Sequence, residues 1–488
     1  MPALLAGLPL LVVLAAMALL HLRAALAGAA GLAVALAVVW FMDRMDGPLL
    51  AGVALEATSS TASILWIILP ALVIYELQSR VGALDRLRAA LARISADRSV
   101  QALLIAWFFG LFMEGAAGFG TPVALAAPLL VGLGFGPVRA VALALLGHAG
   151  GVSFGAIGTP ALAQVEMLGL SATALAGWTM LLHLLPLILL ALAVMRLAQE
   201  GPLTWAQAGL AGLAALCFVL PATALAWFAG PELPTLGGAL IGGAMFALIV
   251  RQQGTSGAAR WHLADLLPYL LILALVLATR LVTPLQEALS GLWLGWSWQG
   301  YAGGIAPLYH PGTLLALGLV LAALSSGRGA ALAPAAVAAL RRLAPVALAL
   351  LVMLALARLM VHGGLIAEAA GAAAQAGAVW PLLAPFVGAL GTFVSGSATA
   401  SNILFTEFQA ATARALDLPL VLMAAAQGVG AAIGNAIAPH NIIAGTATVG
   451  LSGRDGEVLR HTLMPVLGYA LCAGGIVALL VIFGGRAA

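Results

Sequence analysis

The chain reads as an all-α polytopic membrane protein: about twelve transmembrane helices plus two re-entrant helical hairpins, in two inverted-topology repeats with broken helices at the midplane. Three observations lead there. Hydrophobic residues make up 63% of the 488 and charged residues only 8%, with a mean hydropathy of +1.13, whereas soluble domains carry roughly 25% charged residues. Apolar runs of about 17–25 residues recur from end to end, with no stretch polar enough for a separate soluble domain. Polar, glycine-rich interruptions recur at a fixed spacing, and the arginine-rich loops alternate in side.

The run from Ala3 is followed at once by a second, so it reads as a transmembrane helix and not a cleaved leader. The segment Arg80–Arg98 carries Arg80, Arg86, Arg88, Arg93 and Arg98 and is cytoplasmic by the positive-inside rule. Ser99–Met113 spans only ~22 Å as a helix, short of a ~30 Å hydrocarbon core. It therefore dips in, turns at Glu114–Pro122 and returns through Val123–Phe135 as a hairpin. The run from Val138 to near Leu170 is interrupted at residues 155–160 and reads as one broken crossing. Runs at about 205–229 and 235–250 join the halves, and Trp293, Trp296 and Trp298 read as an interfacial belt. The second half repeats the plan, with a hairpin tip at 395–402 and a helix break at 434–441. The repeats are expected at 1–200 and 261–488, with 201–260 linking them.

Gly151, Gly155 and Pro160 fall opposite Gly430, Gly434 and Pro439 at an offset of 279. Loop charge tests the repeat independently. His362–Val379, the partner of Arg80–Arg98, has no arginine; Leu451–His461 holds Arg454 and Arg460, while its partner Leu170–Met180 has none. Equivalent loops thus face opposite sides, which predicts inversion and puts both termini outside. The same rule places Arg251–Arg260 and Arg328–Arg342 inside, and Gly230–Pro234 and Pro284–Pro311 outside.

The three asparagines of the chain, Asn402, Asn435 and Asn441, all lie in the two interruptions of the second half. Non-helical backbone at membrane depth persists only around a cavity or inside protein. Each interruption also starts a new helix. Thr121-Pro122 and Thr159-Pro160 look like N-cap followed by proline at the first helical position; Ser401 or Asn402 is placed to cap a third helix, and Pro439 to start a fourth. Four helix N-termini aimed at the centre would bind an anion without a buried cation. Gly118 and Gly120, the hydroxyls of Ser395, Ser397, Thr399 and Ser401, and the three amides complete the expected substrate shell. Glu114, His148 and His440 are the candidates for carrying a proton. Arg280 and Arg358 either reach the interface or pair with a substrate carboxylate, and Glu76 stands at the repeat position matching Arg358. Glu166, His183, Glu368 and Glu407 are weaker candidates.

Other chemistries fit less well. The net charge of +3 is spread over loops and indicates no nucleic-acid partner. Gly151-Val-Ser-Phe-Gly155 matches the nucleophile elbow but lacks its strand-to-helix setting. No metal-ligand spacing occurs, and Cys217 and Cys472 read as buried thiols.

At Glu114–Val123, Leu130–Phe135, Gly230-Pro-Glu-Leu-Pro234, Ser397–Phe405 and Ala447–Gly453 the chain resembles the lactate permease family, over about residues 60–465. These are bacterial symporters of L-lactate, D-lactate and glycolate with protons, and their architecture is similar to that of the ion transporter superfamily. Where the family reads Gly-Ser-Asp-Thr, this chain reads Gly396-Ser-Ala-Thr399, so Ala398 replaces an acid. His440 and Asn441 also stand where the family has other polar residues. Glu114, retained, becomes the expected coupling group. The resemblance implies proton-coupled symport of a small 2-hydroxymonocarboxylate across the bacterial inner membrane. The alternative is a sodium-coupled or differently selective organic-anion transporter. No cofactor beyond the coupling proton is expected; the partners are the substrate and the lipid bilayer, and the chain acts as a monomer or homodimer.

Overall fold

Ten helices among the described residues are long and apolar enough to cross a membrane, eleven when the bent pair Pro137–Ala149 and Val152–Leu168 counts as one span. The computed structural model describes residues 2–95, 97–118, 120–199, 201–250, 262–451 and 453–483. The basic loop 251–260 and Phe119 of the first tip lie outside the described residues. The expected twelve crossings included three apolar helices, Pro2–Ala18, Pro234–Val250 and Pro311–Ser325, of 17, 17 and 15 residues. At 1.5 Å per residue these reach only ~22–26 Å.

One succession of elements occurs twice. A long helix (Gly47–Arg80) leads to a short one (Ala83–Ala92), a hairpin (Arg98–Ala116 and Thr121–Gly132), a broken crossing (Pro137–Leu168) and another long helix (Ala172–Ala198). The second series is Leu332–His362, Leu365–Ala373, a hairpin (Trp380–Ser395 and Ala398–Ala415), a broken crossing (Leu420–Gly434 and Pro439–Thr448) and Asp455–Phe483. In the most apolar stretch of each element, 94% of the first hairpin arm and 89% of the second broken crossing is buried, against 33% of Asp455–Phe483. The first hairpin arm and the second broken crossing therefore lie at the centre, and helices such as Ala24–Phe41 and Asp455–Phe483 at the rim. The rim faces outward with apolar side chains such as Phe41, Leu248, Met464 and Ile482, as lipid requires.

Local sequence explains the ends of the elements. Asp46 accepts the Leu49 amide at 2.7 Å, and Thr204 with Gln207 closes a capping box, devices worth about 0.5–2 kcal/mol each. Arg86 and Arg328, from two loops that the arginine pattern puts on one side, converge on the buried Asp265 at 2.6 Å each. The hydrogen bonds that Arg86 donates to the Asp265 carboxylate hold its guanidinium above its ordinary pKa. The tryptophan stretch is no plain belt segment. Leu294–Trp298 pairs with Tyr301–Ile305 as a β-hairpin, turned by Gln299 and Gly300 at φ 46° and 88°, the primed geometry a two-residue hairpin loop needs. Cys217 is buried; Cys472 is only partly so.

Candidate functional site

Two hairpin tips and two helix breaks meet around one cavity of about 50 Å3, small beside the roughly 300–1,000 Å3 of small-molecule sites. The first tip contributes Glu114, Gly118 and Gly120, and the first break Val152, Gly155, Ala156, Thr159 and Pro160. The second tip contributes Gly396, Ser397, Ala398 and Thr399, and the second break Asn435. No arginine or histidine is in the described lining.

The first crossing bends by 60°. After the turn Val152–Phe154, residues Ala156, Ile157 and Gly158 take φ of 43°, 55° and 81°. Glycine is at ease there; alanine and β-branched isoleucine each cost roughly 1–2 kcal/mol in the left-handed region. The turn is held by Thr159 Oγ1, which donates to the Ala156 carbonyl at 2.7 Å. Gly158 also packs against the Pro231 carbonyl so closely that a Cβ would overlap it. At the first tip Gly118 and Gly120 are left-handed, φ 56° and 77°, and Thr121 Oγ1 donates to the Gly118 carbonyl at 2.8 Å. The threonines thus do not act as the expected N-caps. Their hydroxyls bond carbonyls of the preceding turn, and no side chain caps the helix Thr121–Gly132.

At the second tip Gly396 (φ 69°) ends the incoming helix, and Ser397, not Ser401 or Asn402, caps the return helix by accepting the Ala400 amide at 3.3 Å. Ser395 Oγ donates to the Ser397 carbonyl at 3.0 Å. Among the described residues the Thr399 hydroxyl has no protein hydrogen bond. Ser401 and Asn402 point away from the cavity. Ser401 Oγ donates to the Gly388 carbonyl at 2.8 Å, and Asn402 Nδ2 donates to the Pro160 carbonyl at 3.0 Å. The second break opens after Gly434, and Pro439 starts the next helix as expected. Asn441 is buried behind Asn435, donating to its carbonyl at 3.1 Å, while His440 is exposed.

Glu114 is buried, and neither carboxyl oxygen is hydrogen-bonded by another described residue. A Cβ on Gly155 would overlap that carboxylate. His148 Nε2 lies 3.9 Å from Glu114 Oε2. The other ring nitrogen, Nδ1, is 2.6 Å from the Ala144 carbonyl, which can only accept. Nδ1 therefore carries a proton, and the Nε2 side of the ring faces Glu114.

Of the expected site residues, the structure thus gathers Glu114, Gly118, Gly120, Thr159, Ser397, Thr399 and Asn435 at the cavity. His148 stands behind Glu114. Thr121, Ser395 and Asn441 brace the tips, and Ser401, Asn402 and His440 lie off the lining. Arg280 is bound elsewhere, 2.7 Å from Glu232 and over the Tyr309 ring. Arg358 faces Glu56 and Glu407. Glu76 pairs with Arg342 at 2.8 Å and not with Arg358. Sequence reading missed the glutamines. Gln164 donates to Thr406 Oγ1 and the Ala424 carbonyl, tying the first broken crossing to the second hairpin and second broken crossing. Gln427 reaches Ser401 and accepts from Gln409. The available signal was a lone amide inside an apolar helix.

The L-lactate permease family model matches residues 2–263 and 305–483. The L-lactate permease of Salmonella typhimurium is 29% identical, over 98% of this chain and 95% of that protein. The glycolate permease GlcA of Escherichia coli is 28% identical over 98% and 95% respectively. Among solved structures, the YdaH transporter of Alcanivorax borkumensis shares the fold, with a TM-score of 0.52 over 90% of this chain and 88% of that one, at 17% identity.

Proposed function

The chain belongs to the L-lactate permease family, and from that premise we propose that it carries a small 2-hydroxymonocarboxylate, L-lactate first and then D-lactate or glycolate, across the bacterial inner membrane together with protons. The observation that carries this reading is the cavity itself. Both tips and both breaks line it, it holds hydroxyl, amide and helix-end groups, and its one ionisable lining residue among those described is an acid. An anion entering such a place finds no fixed cation. The partial positive charge of helix N-termini at Ser397 and Thr121 supplies part of the attraction. A proton on Glu114, shared with His148, removes the competing negative charge. The substrate carboxylate sits against the second tip and Thr399, with its 2-hydroxyl toward Asn435. The two series of elements act as inverted repeats, 1–200 and 261–488 linked by 201–260, with both termini periplasmic; one bundle moves against the other to alternate access.

Uptake into proteoliposomes tests this. Lactate should concentrate when the outside is made acidic, with no requirement for sodium, and glycolate should compete. Accumulation that follows a sodium gradient and ignores the pH gradient would replace the proton in this reading. Lactate that only equilibrates would refute symport.

A further inference from the structure

A second cluster of ionisable groups lies away from the cavity, with Glu56 and Glu407 buried, Glu166 and Arg358 half-buried, and His362 and Arg414 at its exposed edge. Glu56 of helix Gly47–Arg80, Glu166 of the first broken crossing and Glu407 of helix Ala398–Ala415 surround Arg358 of helix Leu332–His362. Arg358 Nε is 3.6 Å from Glu56 Oε2, and its Nη1 is 3.9 Å from Glu407 Oε1. His362 Nε2 approaches Glu56 Oε2 at 2.9 Å, and Ser60 Oγ donates to Glu166 Oε1 at 3.5 Å. Tyr301 of the β-hairpin packs on the His362 ring, and Arg414 adds its field at Glu407.

Three features point the same way. The first is charge. Three carboxylates lie in the field of one central guanidinium, with His362 and Arg414 only at the exposed edge, and surplus negative charge drawn even partly out of water is disfavoured. The second is looseness. Arg280–Glu232 and Arg328–Asp265 close at 2.7 and 2.6 Å, whereas Arg358 stands off both of its acids and its buried Nε has no hydrogen-bond partner. A guanidinium so held can close on whichever acid is ionised. The third is position. Glu56 and Arg358 belong to the two long helices, which pack on each other. Glu166 and Glu407 lie further along the same helices that bring Thr159 and Thr399 to the cavity.

We propose that this cluster is a second proton-binding site, a latch that fastens the cavity-bearing elements to the long-helix pair when Glu166 and Glu407 are ionised and frees them when a proton neutralises either. The role of the latch in a transport cycle rests on the proposed symport; the latch itself does not require a substrate.

Hydrogen–deuterium exchange of the full chain in nanodiscs reads it without transport. After correction for intrinsic exchange, helices Ala398–Ala415 and Gly155–Leu168 should exchange about tenfold more slowly at a high pH value, with both acids ionised, than at a low one, with them protonated. Glu407→Gln should remove that difference and exchange like the acid form at both values. Glu166→Gln serves the same purpose if Glu407→Gln does not fold. Protection that is independent of pH in the wild type, or whose pH dependence survives substitution, overturns the latch. If the pH-dependent protection is present but lactate never accumulates, the symport reading fails and the latch stands. If lactate accumulates while protection ignores pH, the reverse holds.

Discussion

Replacing Glu114 with glutamine keeps the shape of the side chain and removes its ability to bind and release a proton. The structure sets the size of the effect. Glu114 and His148 stand 3.9 Å apart, and two unit charges at that distance attract by about 4 kcal/mol at an effective dielectric of ~20. Losing that attraction is worth a factor of about 10³ in the stability of a charged pair, so His148 alone is no substitute carrier. With the vesicle interior buffered one pH unit above the outside, one proton per lactate supports about tenfold accumulation, since each tenfold ratio is about 1.4 kcal/mol. Radiolabelled L-lactate uptake should approach that ratio for the wild type and stay near unity for Glu114→Gln. Lactate–lactate counterflow, which needs no net proton movement, should persist in the variant and show that it is folded. A variant that still accumulates lactate near tenfold would remove Glu114 from the coupling step.

The remaining substitutions separate binding from architecture. Gly155→Ala pushes a methyl group into the Glu114 carboxylate and should abolish uptake, whereas Gly136→Ala, with nothing within 4 Å, should leave uptake unchanged; equal activity of the two would contradict the close approach. Thr399→Val removes a hydroxyl that lines the cavity and should raise the KM for lactate about tenfold, as for a hydrogen bond to a charged group worth about 1.5–3 kcal/mol, without moving the melting temperature. Asn402→Ala strands the buried Pro160 carbonyl at a cost of about 1–3 kcal/mol. It should lower the melting temperature in detergent more than it changes KM, and the opposite pattern would place Asn402 at the substrate.

The breaks were legible because glycine, proline and asparagine in an apolar run have few uses other than unwinding a helix. Gly155–Pro160 and Gly434–Asn441 accordingly fall where backbone turns occur. The direction of a side chain was not legible. Asn402 follows a turn and has the chemistry of a cap, yet the return helix begins earlier, at Ala398, which rotates Asn402 onto the first broken crossing. Thr121 and Thr159 fit a capping pattern equally well by sequence, but a hydroxyl both donates and accepts, and here the free carbonyl of the preceding turn won. Arg280 offered a cation for a carboxylate; its partner Glu232 lies in another helix connection, a pairing no local pattern records. The strands Leu294–Trp298 and Tyr301–Ile305 escaped because the turn is Gln-Gly, without the Asn-Gly or Asp-Gly that announces a hairpin.

Coupling in this cavity follows from crowding, and that yields a last expectation. A substrate carboxylate confined with Glu114 in one small cavity sits on the order of 5 Å from it, where two negative charges repel by about 3 kcal/mol at an effective dielectric of ~20. Protonating Glu114 lifts that repulsion, so the proton should tighten lactate binding by roughly a hundredfold; by linkage, lactate should tighten proton binding by the same factor. No motion is needed for this preference, since the empty and doubly loaded states are simply the ones without opposed charges. The expected sign is definite: affinity for lactate falls as pH rises through the titration of Glu114. Lactate affinity measured by scintillation proximity across pH should therefore weaken toward alkaline values in the wild type. In Glu114→Gln, whose side chain is neutral at every pH, affinity should stay flat and at the tight, acid-side level. An equally steep profile in the variant would locate the linked proton elsewhere, and a flat but weak one would mean that Glu114 binds the substrate instead of repelling it.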